Sequence, residues 1–149
     1  MKKLFSLCLI CLLVVSAMAQ DYVDLGLPSG TLWKSKNEKG MYYTYDEAVS
    51  QFGDKLPTCE QFAELQAFCT WTWNGKGYVI KGDNGNSIIL HATGYRNCYG
   101  AVDFIGTRGY YWSSTPYDSD YAWYLFFYSD VVSMGNDYRC DGRSVRLVQ

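Results

Sequence analysis

The sequence predicts an α+β domain: an N-terminal hairpin, two helices, then a long β-rich half. Three observations carry that prediction. Helical patterning with capping signals is confined to residues 44–68, hairpin-turn dipeptides follow it, and beyond them no helical period returns. Composition sets the frame. The chain has 149 residues, is 48% hydrophobic and 19% charged, and contains 3 prolines, which excludes disordered and fibrous classes. A net charge of -2 with no basic cluster speaks against a nucleic-acid partner. The aromatic fraction, 17% with 14 tyrosines, is high and must be accommodated somewhere.

The elements follow in order. Lys2 and Lys3 precede the apolar run Leu4 to Val15, and Ala17-Met18-Ala19 offers the small residues a signal peptidase requires. Residues 1–19 are therefore expected to be a signal peptide and residues 20–149 the folded domain. The run is too short for a membrane span, which takes roughly 20 apolar residues, and Cys8 and Cys11 lack the context of a lipid anchor. The expected location is the periplasm, the cell surface or the extracellular space. Tyr22 to Leu27 and Thr31 to Asn37 read as strands joined at Pro28-Ser29-Gly30. Thr44 with Glu47 forms a capping box for a helix through Ala48, Val49 and Phe52, stopped at Gly53. Thr58 with Gln61 opens a second helix, Cys59 to Phe68, whose Phe62, Leu65 and Phe68 recur at helical spacing. Asn74-Gly75 and Asn84-Gly85 then mark hairpins around Tyr78-Val79-Ile80 and Ser87 to Leu90.

Export makes disulfides plausible chemistry for Cys59, Cys69, Cys98 and Cys140. Cys59 and Cys69 bracket one helix, about 15 Å apart, beyond the roughly 7 Å a bridge allows. The expected pair is Cys69 with Cys98, the alternative being that all four are reduced.

Four stretches carry a family resemblance: Tyr22 to Trp33, Ala92-Thr-Gly-Tyr-Arg96, Gly109-Tyr-Tyr-Trp-Ser-Ser-Thr115 and Gly142-Arg-Ser-Val-Arg-Leu-Val148. They resemble the Fibrobacter succinogenes major paralogous domain family, and the element order resembles the C-type lectin fold. That resemblance implies a C-type lectin-like domain: two helices on a mostly antiparallel, twisted β-sheet, with a long loop-rich C-terminal half. It implies no single activity.

Residues 109–148 hold 7 of the 14 tyrosines, 5 Asp and 6 Ser, yet no Lys, Glu, Gln or His. At the frequency of the preceding residues about six Lys, Glu or Gln would be expected there. Lys, Glu, Gln, Trp and Met share one property: none has a codon ending in C. Trp112, Trp123 and Met134 do occur, at positions fixed in the family pattern. In the strand 123–128, Trp123, Leu125 and Phe127 alternate with Tyr124, Phe126 and Tyr128, so period two puts one set in the core and the other outward. The outward set continues through Val131, Ser133, Gly135, Asn136, Asp137, Tyr138, Cys140 and Asp141, and is preceded by Tyr117, Asp118, Asp120 and Tyr121. All of these have C-ending codons. The pattern resembles the variable region of diversity-generating retroelement target proteins, in which adenines of AAC codons are randomised. Independently, a Tyr, Ser, Asp, Asn and Gly surface has the composition of an antibody paratope. These fifteen residues form the candidate ligand-binding set. The competing reading buries both faces of 123–128, which would make the tyrosines core.

Other candidates weigh less. His91 is the single histidine, too few for a zinc cluster or a Ser-His-Asp triad beyond one imidazole, and reads as a strand residue. Asp83-Asn84-Gly85-Asn86 lacks the closing Glu of a calcium loop and fits a turn, while Glu60 and Glu64 read as a solvated helix face. The sugar-binding signatures of calcium-dependent lectins are absent. Tyr138-Arg139-Cys140 faintly resembles the cysteine-bearing region of formylglycine-generating enzymes, but those use two cysteines and here Cys140 stands alone after Cys98. The expectation is a non-enzymatic exported binding module, without cofactor or metal, whose variable face engages a protein or glycan on another cell or phage. A fixed structural or adhesive surface domain is the alternative, and an enzyme of formylglycine-generating-like fold the third.

Overall fold

A computed structural model describes residues 21–149, so the expected signal peptide at 1–19 lies outside the described residues. Strand β1 (Tyr22–Asp24) pairs antiparallel with β2 (Leu32–Lys34), and Gly30 N–H donates to Leu27 O at 2.9 Å in the turn between them. Both strands are shorter than the runs that predict them, because Leu25 and Leu27 leave the ladder to enter the core. Helix α1 (Tyr45–Phe52) and helix α2 (Cys59–Phe68) are each opened by a complete capping box, Thr44 with Glu47 and Thr58 with Gln61. Gly53, at φ 53°, stops α1 and begins a single 3-10 turn, Gly53–Lys55.

Strands β3 (Cys69–Trp73), β4 (Gly77–Gly82) and β5 (Ser87–His91) form an antiparallel sheet in that order, turning at the two Asn-Gly dipeptides. The short hairpin β6 (Tyr95–Arg96) and β7 (Val102–Asp103) follows. The longest elements come last: β8 (Gly109–Pro116), β9 (Tyr121–Tyr128) and β10 (Val131–Tyr138), ordered β10-β9-β8.

This architecture corrects the fold expectation. Of the described residues 43% are strand and 16% helical, in several small sheets with two short α-helices, which is a mostly-β molecule and not an α+β C-type lectin fold. The C-terminal half is not loop-rich either. Its Tyr, Trp, Phe and Val residues favour a pleated, half-buried surface over loops, and Ser129-Asp130 leaves only a two-residue connection between β9 and β10.

Two cores result, one on each side of the β8-β9-β10 sheet. Tyr111, Leu125 and Phe127 face the larger, which also takes Trp33, Phe62, Leu65, Ile80 and Leu90. Trp112 and Ala122, on the opposite face, pack under α1 with Tyr45, Ala48, Leu56, Val145 and Leu147. No helix among the described residues is long and apolar enough to cross a membrane.

Candidate functional site

Cross-strand register decides which candidate residues share a face, because directly paired residues in an antiparallel ladder point the same way. Tyr124, Phe126 and Tyr128 pair with Gly135, Ser133 and Val131, and Phe126 pairs with Tyr110 of β8. These seven residues, with Asp137, occupy the sheet face opposite the larger core. Tyr121, Asn136 and Tyr138, placed by the sequence in the same outward set, belong to the other face, Asn136 pairing with Trp123 and Tyr138 with Tyr121. The correction has a simple cause: an outward set read on through Asn136, Asp137 and Tyr138 takes neighbours in sequence, and period two sends neighbours to opposite sides.

At that end the core face runs beyond the core and emerges into solvent. Tyr117 and Tyr138 are 55% and 52% exposed, with Tyr121 and Trp123 half-buried between them. The ring centroids of Tyr121 and Tyr138 lie 4.9 Å apart and those of Tyr117 and Trp123 5.6 Å. The Tyr121 hydroxyl donates to that of Tyr138, and this bond, with the nearby Tyr138 charge, pushes the Tyr121 hydroxyl up to about 12. Carboxylates surround this cluster. Asp118 is committed locally, since its Oδ1 accepts the N–H of Asp120 at 2.8 Å and of Tyr121 at 2.7 Å and so builds the β8–β9 turn. Asp120 remains exposed and makes no side-chain bond within the described residues.

Two clefts flank Tyr138 and Cys140. The first, about 510 Å³, is lined by Tyr95, Asn97, Tyr99, Asp137 and the Cys98–Cys140 disulfide. The second, about 610 Å³, is lined by Thr44, Asp46, Ser119, Asp120 and Arg139. Tyr99 is 97% exposed at the rim of the first.

The disulfide replaces the expected Cys69–Cys98 pair. Cys98 bonds Cys140, with Cα atoms 5.0 Å apart, while Cys59 and Cys69 are free. The reason is a long-range bridge: Arg96 and Gly142 exchange both backbone hydrogen bonds, at 2.9 and 2.6 Å, which carries the chain after β6 alongside residue 140. Cys69 instead caps α2 and packs against the larger core, where burial raises its thiol. Cys140 therefore does not stand alone. Cys98, Cys140 and Asp141 bring three possible metal-ligand atoms within 4.8 Å, but the sulfurs are bonded to each other and the carboxylate is engaged by an arginine.

That arginine, Arg143, explains why Asp141 is not part of the exposed surface. Asp141 is 5% exposed and its Oδ2 accepts Arg143 Nη2 at 2.9 Å, with Asp137 Oδ2 at 3.7 Å. The guanidinium is 1% exposed and sits 3.8 Å from the Tyr124 ring centroid, with Trp112, Tyr110 and Tyr95 at 4.8, 5.4 and 5.6 Å. Tyr124 is thus half structural: it roofs a buried cation. Burial pulls the Arg143 guanidinium below its ordinary range and lifts the Tyr124 hydroxyl above its own.

Sequence reasoning missed Arg139, Arg143, Tyr95 and Tyr99. Arg139 holds the β8–β9 loop by donating to Asp118 O and, at 3.2 Å, to Tyr121 O, while lying over the Tyr45 ring. Tyr95 and Arg143 fall within the family-like stretches and Arg139 within Tyr138-Arg139-Cys140, but no local pattern shows what these side chains do, because each acts across a long sequence separation. His91 lies on β5, in the other three-stranded sheet.

A protein-family model described as Domain of unknown function (DUF8237) matches residues 71–148. That span takes in β4 to β10, both clefts in large part and three of the four stretches quoted above. No curated protein and no solved structure matches the chain.

Proposed function

The chain belongs to the family described as Domain of unknown function (DUF8237), a description that names no activity, and we propose from the surface itself that it is an exported ligand-binding module. One observation carries the reading: the aromatic cluster Tyr117, Tyr121, Trp123 and Tyr138 emerges into solvent at Tyr117 and Tyr138, and Tyr138 lines two clefts edged by Asp46, Asp120 and Asp137. Exposed aromatic rings supply large, rigid contact area at low entropic cost, and carboxylates accept charge-assisted hydrogen bonds. The ligand class that suits both is a protein or glycan surface with cationic or amphipathic groups.

A random peptide library panned on the wild-type chain is expected to yield binders rich in Lys, Arg and aromatic residues. Their affinity should fall at least about tenfold for the double variant Tyr117→Ala, Tyr138→Ala, the loss expected of central aromatic contacts. Binders indifferent to that variant would locate recognition elsewhere and overturn the reading.

Diversification is part of the same proposal. Residues 109–148 lack Lys, Glu and Gln, and the gene is expected to carry C-ending codons at Tyr117, Asp118, Asp120, Tyr121, Tyr124, Phe126, Tyr128, Val131, Ser133, Gly135, Asn136, Asp137, Tyr138, Cys140 and Asp141. A near-copy with AAC at such positions should lie beside a reverse-transcriptase gene. Mixed third bases with no such copy would leave the fixed adhesive domain as the better account. The involvement of Tyr124 and Asp141 in the Arg143 cage favours that second reading at those two positions, since a side chain that roofs or neutralises a buried cation tolerates little variation.

A further inference from the structure

Strand β10 is an edge, and its free side is symmetric about one residue. Ser129-Asp130 is a two-residue loop closed by the pair Tyr128 and Val131, and such a closing pair exchanges both hydrogen bonds. The register then runs unbroken to Tyr138 and Tyr121. Val131, Ser133, Gly135 and Asp137 therefore spend their backbone groups on β9, and the series continues at Arg139, whose N–H donates to Asp120 O at 2.8 Å. The N–H and C=O groups of Val132, Met134 and Asn136 point the other way. Among the described residues none of those groups has a backbone partner across the free edge, and the one side-chain contact is a long bond from Ser133 Oγ to Met134 O at 3.4 Å. Tyr138 is different, its N–H going to Asp137 Oδ1 and its C=O to Asp141 N–H.

Exposed edges are normally blunted by Lys, Pro, a bulge or a covering segment. Residues 131–138 read Val-Val-Ser-Met-Gly-Asn-Asp-Tyr, with no Lys, no Pro and a single charge, and their register has no bulge. We propose that this edge is a homodimer interface, in which β10 pairs antiparallel with β10 of a second copy.

The choice of a second copy over an unrelated strand rests on self-complementarity. The free residues are spaced evenly about Met134. A two-fold axis perpendicular to the sheet at Met134 sets Val132 opposite Asn136 of the second copy and Met134 opposite its equivalent. Every free N–H and C=O on both copies then finds a partner. On the outward face that register places Val131 opposite Asp137 and Ser133 opposite Gly135, so no charge meets a like charge. The two sheets become one, ordered β8-β9-β10-β10-β9-β8, with both copies' Tyr110, Phe126 and Tyr128 on the same side. The proposal does not depend on the ligand-binding reading.

Sedimentation of the full chain over a wide concentration series is expected to show conversion of single chains into pairs. Over the same series hydrogen exchange at the amides of Val132, Met134 and Asn136 should slow by at least about tenfold, as newly formed ladder bonds protect them. Asn136→Pro removes an outward N–H without costing a β9 bond, and should sediment as a single chain with unchanged near-ultraviolet circular dichroism. Asn136→Lys, which sets a cation on the edge and keeps the backbone intact, serves if the proline variant does not fold. A wild-type chain that stays single at all concentrations overturns the proposal. So does a pair that survives the folded variants, or one whose three amides still exchange freely, since each would mean association through another surface.

Discussion

Tyr124 and Tyr128 are two positions apart on one strand face, and period two treats them alike. The structure separates them. Tyr128 is 38% exposed at the end of the central strand, whereas Tyr124 covers the Arg143 guanidinium and packs edge-on against Trp112. Gly135, directly across from Tyr124, leaves the room the ring needs, since a Cβ there would lie 3.1 Å from the tyrosine hydroxyl. Tyr128→Ala should change stability by no more than about 0.5 kcal/mol, the range of ordinary surface substitutions. Tyr124→Ala should cost about 2–3 kcal/mol, because it removes a half-buried ring and uncovers a buried cation. Thermal unfolding of the two single variants distinguishes them, with a drop of several degrees expected only for Tyr124→Ala. Equal losses would mean that the whole outward face is core. The sequence could show the shared parity of the two tyrosines. It could not show a cation arriving beneath one of them from a segment beyond β10.

At the scale of elements, what was legible is what is local. Both capping boxes are formed by residues three apart and are present as read, and the Asn-Gly turns close the hairpins they mark. The fold class was misjudged because helix and strand segments say little about how many sheets they make. β3-β4-β5 and β8-β9-β10 remain separate sheets on opposite sides of a shared core, joined by side chains and not by one ladder. The disulfide failed for the same reason. Cys98 and Cys140 are 42 residues apart, and only the Arg96–Gly142 bridge brings them together. Closing a loop of that length is worth about 4 kcal/mol in the chain-entropy account. Reduction, or Cys98→Ser with Cys140→Ser, is accordingly expected to lower the unfolding midpoint well beyond the effect of either serine on the surface. Calorimetry with and without reductant checks it. Because Cys98 and Cys140 line the first cleft, the same treatment should loosen the Tyr99 loop, read as faster hydrogen exchange at residues 97–101.

For the whole molecule, the segment 142–149 matters more than its length suggests. Its backbone bonds β2 at Leu32 and Lys34, β8 at Tyr110 and Trp112, β6 at Arg96, the 3-10 turn at Lys55 and the loop at Tyr43. Its side chains alternate between the two cores, Val145 and Leu147 entering the smaller and Val148 the larger. Among the described residues the hydrogen bond from this segment to the remaining sheet comes from Arg146: Nη2 donates to Ile89 O at 2.6 Å, Nε to Asn37 Oδ1 at 2.9 Å and Nη1 to Lys34 O at 3.1 Å. The guanidinium is fully buried, and burial pulls it below its ordinary range. No carboxylate is among its partners. It works as a planar fork of donors joining β2, β5 and the C-terminal segment, which accounts physically for an arginine in the stretch Gly142 to Val148. Arg146→Ala would leave three part-buried acceptors without their donor, and an acceptor left unpaired at full burial costs about 1–3 kcal/mol. The expected loss is therefore several kcal/mol. Arg146→Lys should recover only part of it, because a single ammonium cannot span the three acceptors. Urea unfolding followed by far-ultraviolet circular dichroism and by tryptophan fluorescence tests both parts. If the segment couples the sheets, the two probes fall together in the wild type, and the alanine variant shifts both midpoints down together. A variant that loses less than about 1 kcal/mol, or one in which the fluorescence midpoint separates from the backbone signal only after substitution, would respectively deny the fork its structural role or show that the cores were coupled through this side chain alone.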